Sequence, residues 1–91
     1  MKLENPIFQE QYMEYDKDKV DEMVLAILYL TTSKEDYGFR AWKGMDWDAM
    51  NRLHEKEYIS NPRSKAKSVV LTEEGVKLSE ELFKKHFGVS V

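Results

Sequence analysis

The sequence predicts a mainly α-helical domain with a small β-hairpin, which places the chain in the α+β class. Three observations lead to this prediction. Apolar residues recur at helical spacing in three segments, and two short β-prone runs flank an Asn-Pro turn. The segments follow in the order helix, irregular segment, helix, strand, loop, strand, helix. Because a two-stranded hairpin is only marginally stable in water, we expect the strands to pack against the helices.

Length and composition indicate one domain. The chain has 91 residues, of which 42% are hydrophobic, and no cysteine, so disulfides and thiolate metal sites are excluded. We divide it into an N-terminal arm or short helix, residues 1–15, and a single domain, residues 16–91. The start lacks the apolar core of a signal peptide, and the longest apolar run, residues 24–30, is too short to cross a bilayer. These features predict a cytoplasmic protein.

The N-terminal arm carries aromatic residues at helical spacing. Asn5 is a favoured N-cap and Pro6 suits the first helical position. The segment is either a short amphipathic helix that folds onto a neighbouring surface or a frayed terminus. An apolar edge of this size is unfavourable in water, so docking of the arm would join two copies, with the last helix, into a homodimer. The edge consists of Ile7, Phe8, Tyr12 and Tyr15.

The first long helix has an apolar stripe with the helical period, and Asp16 or Asp18 can cap it. The stripe comprises Val20, Met23, Val24, Ile27, Leu28 and Leu30 or Thr31. The following segment, TTSKEDYG, is polar and turn-like. Residues 39–44 form either an irregular turn or a very short helix, since periodicity does not distinguish the two.

A second helix begins after Asp46, its predicted N-cap, with Trp47, Met50 and Leu53 on one face. The last helix begins after Thr72, and Gly75 permits close packing of that helix. Its stripe comprises Val76, Leu78, Leu82, Phe83 and Phe87. We expect one core shared by Trp47, Met50, Leu53, Ile27 and Leu82, whereas Trp42, beside Arg40 and Lys43, is expected to be partly exposed.

Between these helices, residues 58–60 and 68–71 read as two short strands that pair as an antiparallel hairpin. The connection, residues 61–67, opens with the turn former Asn-Pro. We call residues 61–67 the basic loop, because it contains Arg63, Lys65 and Lys67 and no acid, a local charge of +3.

Two resemblances follow from these residues. The segment LHEKEYIS followed by SVVLTEEG resembles the helix end, strand and L-T-x-x-G helix start of many bacterial winged-helix regulators. More closely, YDKDKVDEMVLAILYL, RAWKGMDWDAMNRLHEKEYIS and KAKSVVLTEEG are similar to an uncharacterised bacterial family of short proteins of unknown function. The winged-helix resemblance implies that residues 46–56 stand at the recognition helix, that the basic loop is the wing, and that the last helix supports dimerisation. The usual glycine before the strand is Glu57 here, and TTSKEDYGFRAWKG has poor helical periodicity where a first helix of the helix-turn-helix is expected.

The candidate site residues are polar or basic and lie on the basic loop and on the second helix. Each of these two segments has a functional and a purely structural interpretation. The basic loop can contact phosphates, or it is a polar hairpin tip whose lysines prevent strand-edge pairing. The helix at residues 46–57 has four acids against two bases, so it is either a weak base reader or a solvated face. The predicted nucleic-acid-binding residues are Arg63, Lys65, Lys67, Arg52, Asn51 and Lys56.

No enzyme or cofactor signature is recognisable. The histidines, His54 and His86, lack metal-ligand spacing, and the four glycines match no nucleotide fingerprint, so we predict neither cofactor nor enzymatic activity. Two functions remain as expectations. One is a small DNA-binding transcriptional regulator whose partner is double-stranded DNA; the other is a protein-interaction or self-association module without nucleic-acid binding. The net charge of −3 favours the second, and the basic loop favours the first.

Overall fold

Three helices and three strands make up the fold in the computed structural model, which describes residues 13–36 and 38–90. Helix α1 spans Lys17–Thr31, strands β1 and β2 span Ser33–Glu35 and Gly38–Trp42, helix α2 spans Trp47–Glu55, strand β3 spans Ser68–Leu71, and helix α3 spans Glu73–Phe87. The predicted α+β class is confirmed, and the arrangement is winged-helix-like. A β-hairpin stands where a helix-turn-helix would have its first helix. The predicted arm residues Ile7, Phe8 and Tyr12 lie outside the described residues.

The sheet has the order β1-β2-β3 with antiparallel neighbours. Strand β2 pairs with β3 from Phe39 opposite Leu71 to Trp42 opposite Ser68. Neither predicted alternative for residues 39–44, an irregular turn or a short helix, is correct. The reason is the alternation in β2, where Ala41 is buried and its neighbour Trp42 is exposed, which is the period of a strand with one face on a core.

The predicted hairpin partner of β3 is present but short. Ile59 forms an isolated antiparallel bridge with Leu71, and the Ser60 backbone N–H donates to the Val70 carbonyl at 2.8 Å. The antiparallel pairing is therefore confirmed, and the bounds of β3 are as predicted. However, β2 supplies most of the pairing, because its five residues offer a longer ladder than the segment at residues 58–60, which has only just left α2.

Each helix begins at a residue that the sequence identified as a cap. The side chains of Asp16, Asp46 and Thr72 accept hydrogen bonds from the backbone N–H groups of Lys19, Ala49 and Gly75, each at 3.0 Å. Gly75 also permits a close approach, since a Cβ atom there would collide with the carbonyl oxygen of Tyr58. The predicted close packing at Gly75 is thus between α3 and the backbone that leaves α2.

The core lies between the three helices and the inner face of the sheet. Its buried apolar residues are Val24, Leu25, Ala26, Leu28, Ala41, Ala49, Met50, Leu53, Ile59, Val69, Leu71 and Leu82. Met50, Leu53 and Leu82 are in the core as predicted, but Trp47 is 49% exposed and Ile27 is only partly buried. The buried face of α2 is centred between Ala49, Met50 and Leu53, and at 100° per residue Trp47 lies roughly 110° from that centre.

The buried face of helix α1 overlaps the predicted stripe but is rotated from it: Val24 and Leu28 are buried as predicted, whereas the other large buried side chains lie outside the stripe. Leu25 and Asp21 are almost fully buried, whereas Leu30 is 64% exposed. Helices α2 and α3 and strand β2 all pack against α1. Within residues 13–36 and 38–90, no helix has the length and apolar character needed to span a membrane.

Candidate nucleic-acid interface

Hydrogen bonds and one buried residue order the backbone of the basic loop, which connects the bridge at Ile59 to strand β3. Pro62 is fully buried and fixes the start of the loop against the domain. The Asn61 side chain accepts a hydrogen bond from the Arg63 N–H at 2.9 Å, and the Ser64 N–H donates to the Asn61 carbonyl at 3.3 Å. This is an Asx-turn, in which a short side chain replaces a backbone partner. The turn orders the first half of the loop.

Lys43, directly after β2, holds the same part of the loop from the side. Its Nζ donates to the carbonyl oxygen of Pro62 at 2.9 Å and to that of Ser64 at 2.6 Å. Both acceptors are uncharged, so the ammonium retains its full positive charge while it fixes the loop. Lys43 is therefore both a support for the loop and a part of its positive field.

The three predicted cations of the basic loop face solvent. Arg63, Lys65 and Lys67 are all exposed, and none forms a salt bridge with an acid of the described residues. The loop itself contains no acid. Three solvated charges of one sign therefore project from an anchored turn.

Arg40, on β2, adds a cation that sequence reasoning did not include in the site. Its Nε donates to the Ser68 hydroxyl at 2.7 Å, and its Nη2 donates to the Ser68 carbonyl at 3.1 Å. Ser68 directly follows Lys67, so Arg40 lies at the base of the basic loop. The pairing of β2 with β3 joins residues 28 positions apart, and the only sequence signal for it was the alternation in FRAW.

Trp42 lies on the same strand and faces outward. It is 54% exposed, and its backbone N–H donates to the Thr31 hydroxyl at 3.1 Å. The indole covers Gly44, where a Cβ atom would collide with the indole nitrogen. Trp42 is the cross-strand partner of Ser68, so an exposed aromatic ring stands beside the end of the basic loop. Partial exposure of Trp42 is as predicted.

The predicted contact residues on α2 have different surroundings. Arg52 Nε donates to both carboxylate oxygens of Asp21 at 2.9 Å, and Lys56 Nζ donates to Asp21 at 2.9 Å and to Asp18 at 3.0 Å. Asp21 belongs to α1 and its side chain is 2% exposed. Arg52 and Lys56 thus bind α2 to α1, and their charges are compensated there. Asn51 is partly buried.

The pKa values of this ion cluster are shifted in the directions that favour the charged forms. Burial acts to raise the pKa of Asp21, but the hydrogen bonds and charges of Arg52 and Lys56 together outweigh burial and hold that pKa below its ordinary value. The hydrogen bonds to Asp21 raise the pKa of Arg52 and the pKa of Lys56. The cluster therefore remains ionised at neutral pH.

The outward face of α2 is acidic and aromatic. Its exposed side chains include Trp47, Asp48 and Glu55. The two histidines have different contacts. His54 Nδ1 lies 3.0 Å from the Ile59 carbonyl oxygen, and His86 Nε2 lies 3.6 Å from Glu22. Among the described residues, no three histidine or acidic side chains form a group that could hold a metal ion.

Comparison with known proteins identifies the family. Residues 16–89 match a family described as a domain of unknown function, DUF6429. The chain belongs to this family. It is also 52% identical over 75 residues to the uncharacterized protein y4hR of Sinorhizobium fredii (strain NBRC 101917 / NGR234), a match that covers 82% of this chain and 97% of y4hR. No solved structure matches the chain. The resemblance to a family of short uncharacterised proteins is confirmed.

The DUF6429 region includes all the elements described above. It begins at Asp16, the N-cap of α1, and ends two residues after α3. The basic loop, Trp42 and the Asp21 ion cluster therefore all lie within the DUF6429 domain of this chain.

Proposed function

We propose that this DUF6429 protein binds double-stranded DNA through its phosphates, with the basic loop as the wing of a winged-helix-like domain. The observation that supports the proposal most directly is the exposure of Arg63, Lys65 and Lys67 on an anchored loop without acids. Phosphate contacts require positive charge at fixed positions, and an ordered loop loses little conformational entropy on binding. A role in transcription regulation, and hence a cytoplasmic location, follows only by analogy with the fold.

We propose further that binding is largely independent of base sequence. Base reading by α2 would need Arg52 and Lys56, which are compensated by Asp21, while Asp48 and Glu55 on its exposed face repel phosphates. The basic loop offers phosphate contacts instead, and these carry no base identity. Contact by Asn51, Arg52 and Lys56 remains a prediction that would require rearrangement of the ion cluster.

The net charge of −3 limits the expected affinity without excluding it. At physiological ionic strength, charges separated by more than about 8 Å are largely screened from one another. The field that a phosphate meets at the basic loop is therefore dominated by the loop cations with Arg40 and Lys43. We expect modest affinity with strong salt dependence.

The experiment that tests the proposal is the salt dependence of binding to a mixed-sequence duplex, measured by fluorescence anisotropy. Three neutralised phosphates give a slope of log affinity against log salt of about −3 for one loop, and up to about −5 if two loops of a dimer engage. The triple variant Arg63→Ala, Lys65→Ala, Lys67→Ala should flatten this slope and weaken binding to all sequences equally.

A control with the same charge change separates the loop from net charge. The variant Lys77→Ala, Lys84→Ala, Lys85→Ala removes three exposed cations from α3 and leaves the basic loop intact. It should retain a slope close to that of the unmodified protein. Equal effects of the two triple variants, or no binding of the unmodified protein at low salt, would contradict the proposal.

A second candidate, self-association, is supported by the aromatic residues of α3. The rings of Tyr29 and Phe83 have centroids 5.1 Å apart, those of Phe83 and Phe87 are 5.3 Å apart, and Phe87 is 42% exposed at the end of this row. We propose that a homodimer contact continues the row beyond Phe87. The N-terminal arm, which is the other predicted part of this contact, falls mainly outside the described residues.

A further inference from the structure

We infer that Trp42 is a stacking surface for an unpaired base, so that Trp42 and the basic loop together form a site for single-stranded nucleic acid. This inference rests on the proposed phosphate contact of the basic loop and extends it from duplex DNA to unpaired strands. A single strand offers phosphates to the loop cations and open base faces to an aromatic ring. Stacking on aromatic side chains beside a positively charged surface is the usual mode of single-strand binding.

Trp42 is exposed although it belongs to a strand of the sheet. Its neighbour in the strand, Ala41, is in the core, and Trp42 projects from the opposite face of the sheet with 54% of its surface exposed. Large aromatic side chains are usually buried because water contact with their apolar surface is unfavourable. Gly44 leaves space for the nitrogen side of the indole to lie against the backbone, and more than half of the Trp42 surface remains accessible.

Several cations lie near Trp42, along the chain and across the sheet. Trp42 stands opposite Ser68 in the ladder, next to Lys67, and it is followed in the chain by Lys43. Arg40, two residues earlier on the same face of β2, is hydrogen-bonded to Ser68. Arg40 and Lys43 both use uncharged acceptors, so their charges remain available to phosphates. Glu35 accepts a hydrogen bond from the Ser33 hydroxyl at 2.8 Å and lines the same surface depression as Arg40 and Trp42, so it offsets part of this positive charge.

A single strand and a duplex differ in whether their base faces are accessible to Trp42. In a duplex each base is stacked on its neighbours, so its faces are not accessible to a ring on the flat surface of a sheet without base flipping. An unpaired strand can place a base on Trp42 and the adjoining phosphates near the basic loop at the same time. We therefore expect single strands to bind more tightly than duplexes of equal length.

Trp47 is a matched control, because it is the other tryptophan of the chain and is 49% exposed. It lies at the start of α2 between Asp46 and Asp48, and not on the strand that pairs with Ser68. Two single-tryptophan proteins, Trp47→Phe and Trp42→Phe, therefore report separately on the two exposed indoles.

The experiment is titration of both proteins with oligo-dT, followed by tryptophan fluorescence and by anisotropy of a labelled strand. The Trp47→Phe protein should show quenching as the strand binds, and the Trp42→Phe protein should show none. Trp42→Ala should weaken oligo-dT binding about 5- to 100-fold, the range expected for loss of one stacked base, and change duplex binding less than about twofold. Circular dichroism checks that each variant is folded, and Trp42→Phe, which keeps a ring, should bind with intermediate affinity.

The outcomes separate this inference from the proposed function. Salt-dependent strand binding without quenching of Trp42 would overturn the stacking site and leave phosphate contact by the basic loop intact. Equal quenching of Trp42 and Trp47 would also overturn it. Absence of binding to both oligo-dT and duplex at low salt would overturn the inference and the proposed function together.

Discussion

At the scale of single residues, Glu57 is the non-glycine residue with a positive φ among the described residues. Its φ of 67° lies in the left-handed region, which side chains other than glycine rarely adopt. The end of α2 is a Schellman motif, because the Tyr58 N–H donates to the Leu53 carbonyl at 3.0 Å and the Glu57 N–H donates to the His54 carbonyl at 2.9 Å. Glutamate thus occupies a position that usually holds glycine.

We predict that Glu57→Gly stabilises the protein. Relief of the left-handed conformation is partly offset by the greater freedom of glycine in the unfolded chain, so the net gain in the free energy of unfolding should be about 0.5–1 kcal/mol. Urea denaturation measures it. The matched control is Glu55→Gly at the last residue of α2, where the backbone is helical, and this change should lower the free energy of unfolding by up to about 1 kcal/mol. A lower urea midpoint for Glu57→Gly than for the unmodified protein would contradict the assignment.

At the scale of elements, the packing of α1 against α2 depends on a buried charge. The Asp21 carboxylate is 2% exposed and is bound by Arg52, whose side chain is 20% exposed, and by Lys56. A buried ion pair of this kind adds little to stability compared with apolar packing, but removal of one member leaves the other without compensation. The pair therefore fixes how the two helices pack.

We predict that Asp21→Asn lowers the free energy of unfolding by about 2–4 kcal/mol, somewhat less than for a fully buried pair because Arg52 is partly exposed. Asp18→Asn is the control. Asp18 binds the same Lys56 Nζ at 3.0 Å but is 85% exposed, so its loss should change stability by less than about 1 kcal/mol. Similar losses for the two variants in chemical denaturation would mean that the burial of Asp21 has no energetic consequence.

The same pair predicts a pH dependence. The pKa of Asp21 is lower in the folded than in the unfolded protein, so the unfolded chain binds more protons between the two values. The contribution of Asp21 is therefore complete above its ordinary pKa near 3.8 and is lost as the pH falls through the lower, folded value. Urea midpoints measured from neutral to acidic pH should show a smaller acid loss for Asp21→Asn than for the unmodified protein. An identical acid loss would contradict the proposed shift.

At the scale of the whole molecule, the net charge of −3 conceals two unlike surfaces. The acidic face of α2 exposes Asp48 and Glu55, whereas the basic loop exposes three cations without a salt bridge among the described residues. Separation of charge of this kind allows an acidic protein to approach a polyanion with one end. The acidic face of one copy can also attract the basic loop of another, so the oligomeric state is a useful second measurement.

We predict that Phe87→Glu shifts the protein towards monomer in light scattering. A charge at the exposed end of the aromatic row would be buried by the proposed contact and would disfavour it. Lys85→Ala, on the same turn of α3, changes the net charge by the same amount and should leave the mass unchanged. A monomeric mass for the unmodified protein across the accessible concentration range would reject the dimer.

The sequence by itself determined the local features of this protein. The caps at Asp16, Asp46 and Thr72, the bounds of β3 and the cations of the basic loop all follow from interactions within a few residues, so they could be predicted from the chain. The unusual conformation of Glu57 could also be anticipated, because Glu57 stands where winged-helix regulators usually have the glycine that ends the helix before the strand.

Only the tertiary structure decided which faces are buried and which distant residues meet. Trp47 has the spacing of a core residue, yet it is exposed because the partner elements cover a face of α2 centred elsewhere. Strand β2 was not recognised because its longer ladder is with β3, about 30 residues away, and its local partner β1 is a short, polar and exposed segment. For the same reason, the sequence showed Arg52 and Lys56 as free cations, while the fold compensates them with Asp21. Long-range pairing brings Arg40, Trp42 and Lys43 to the basic loop, and no local pattern encodes that contact.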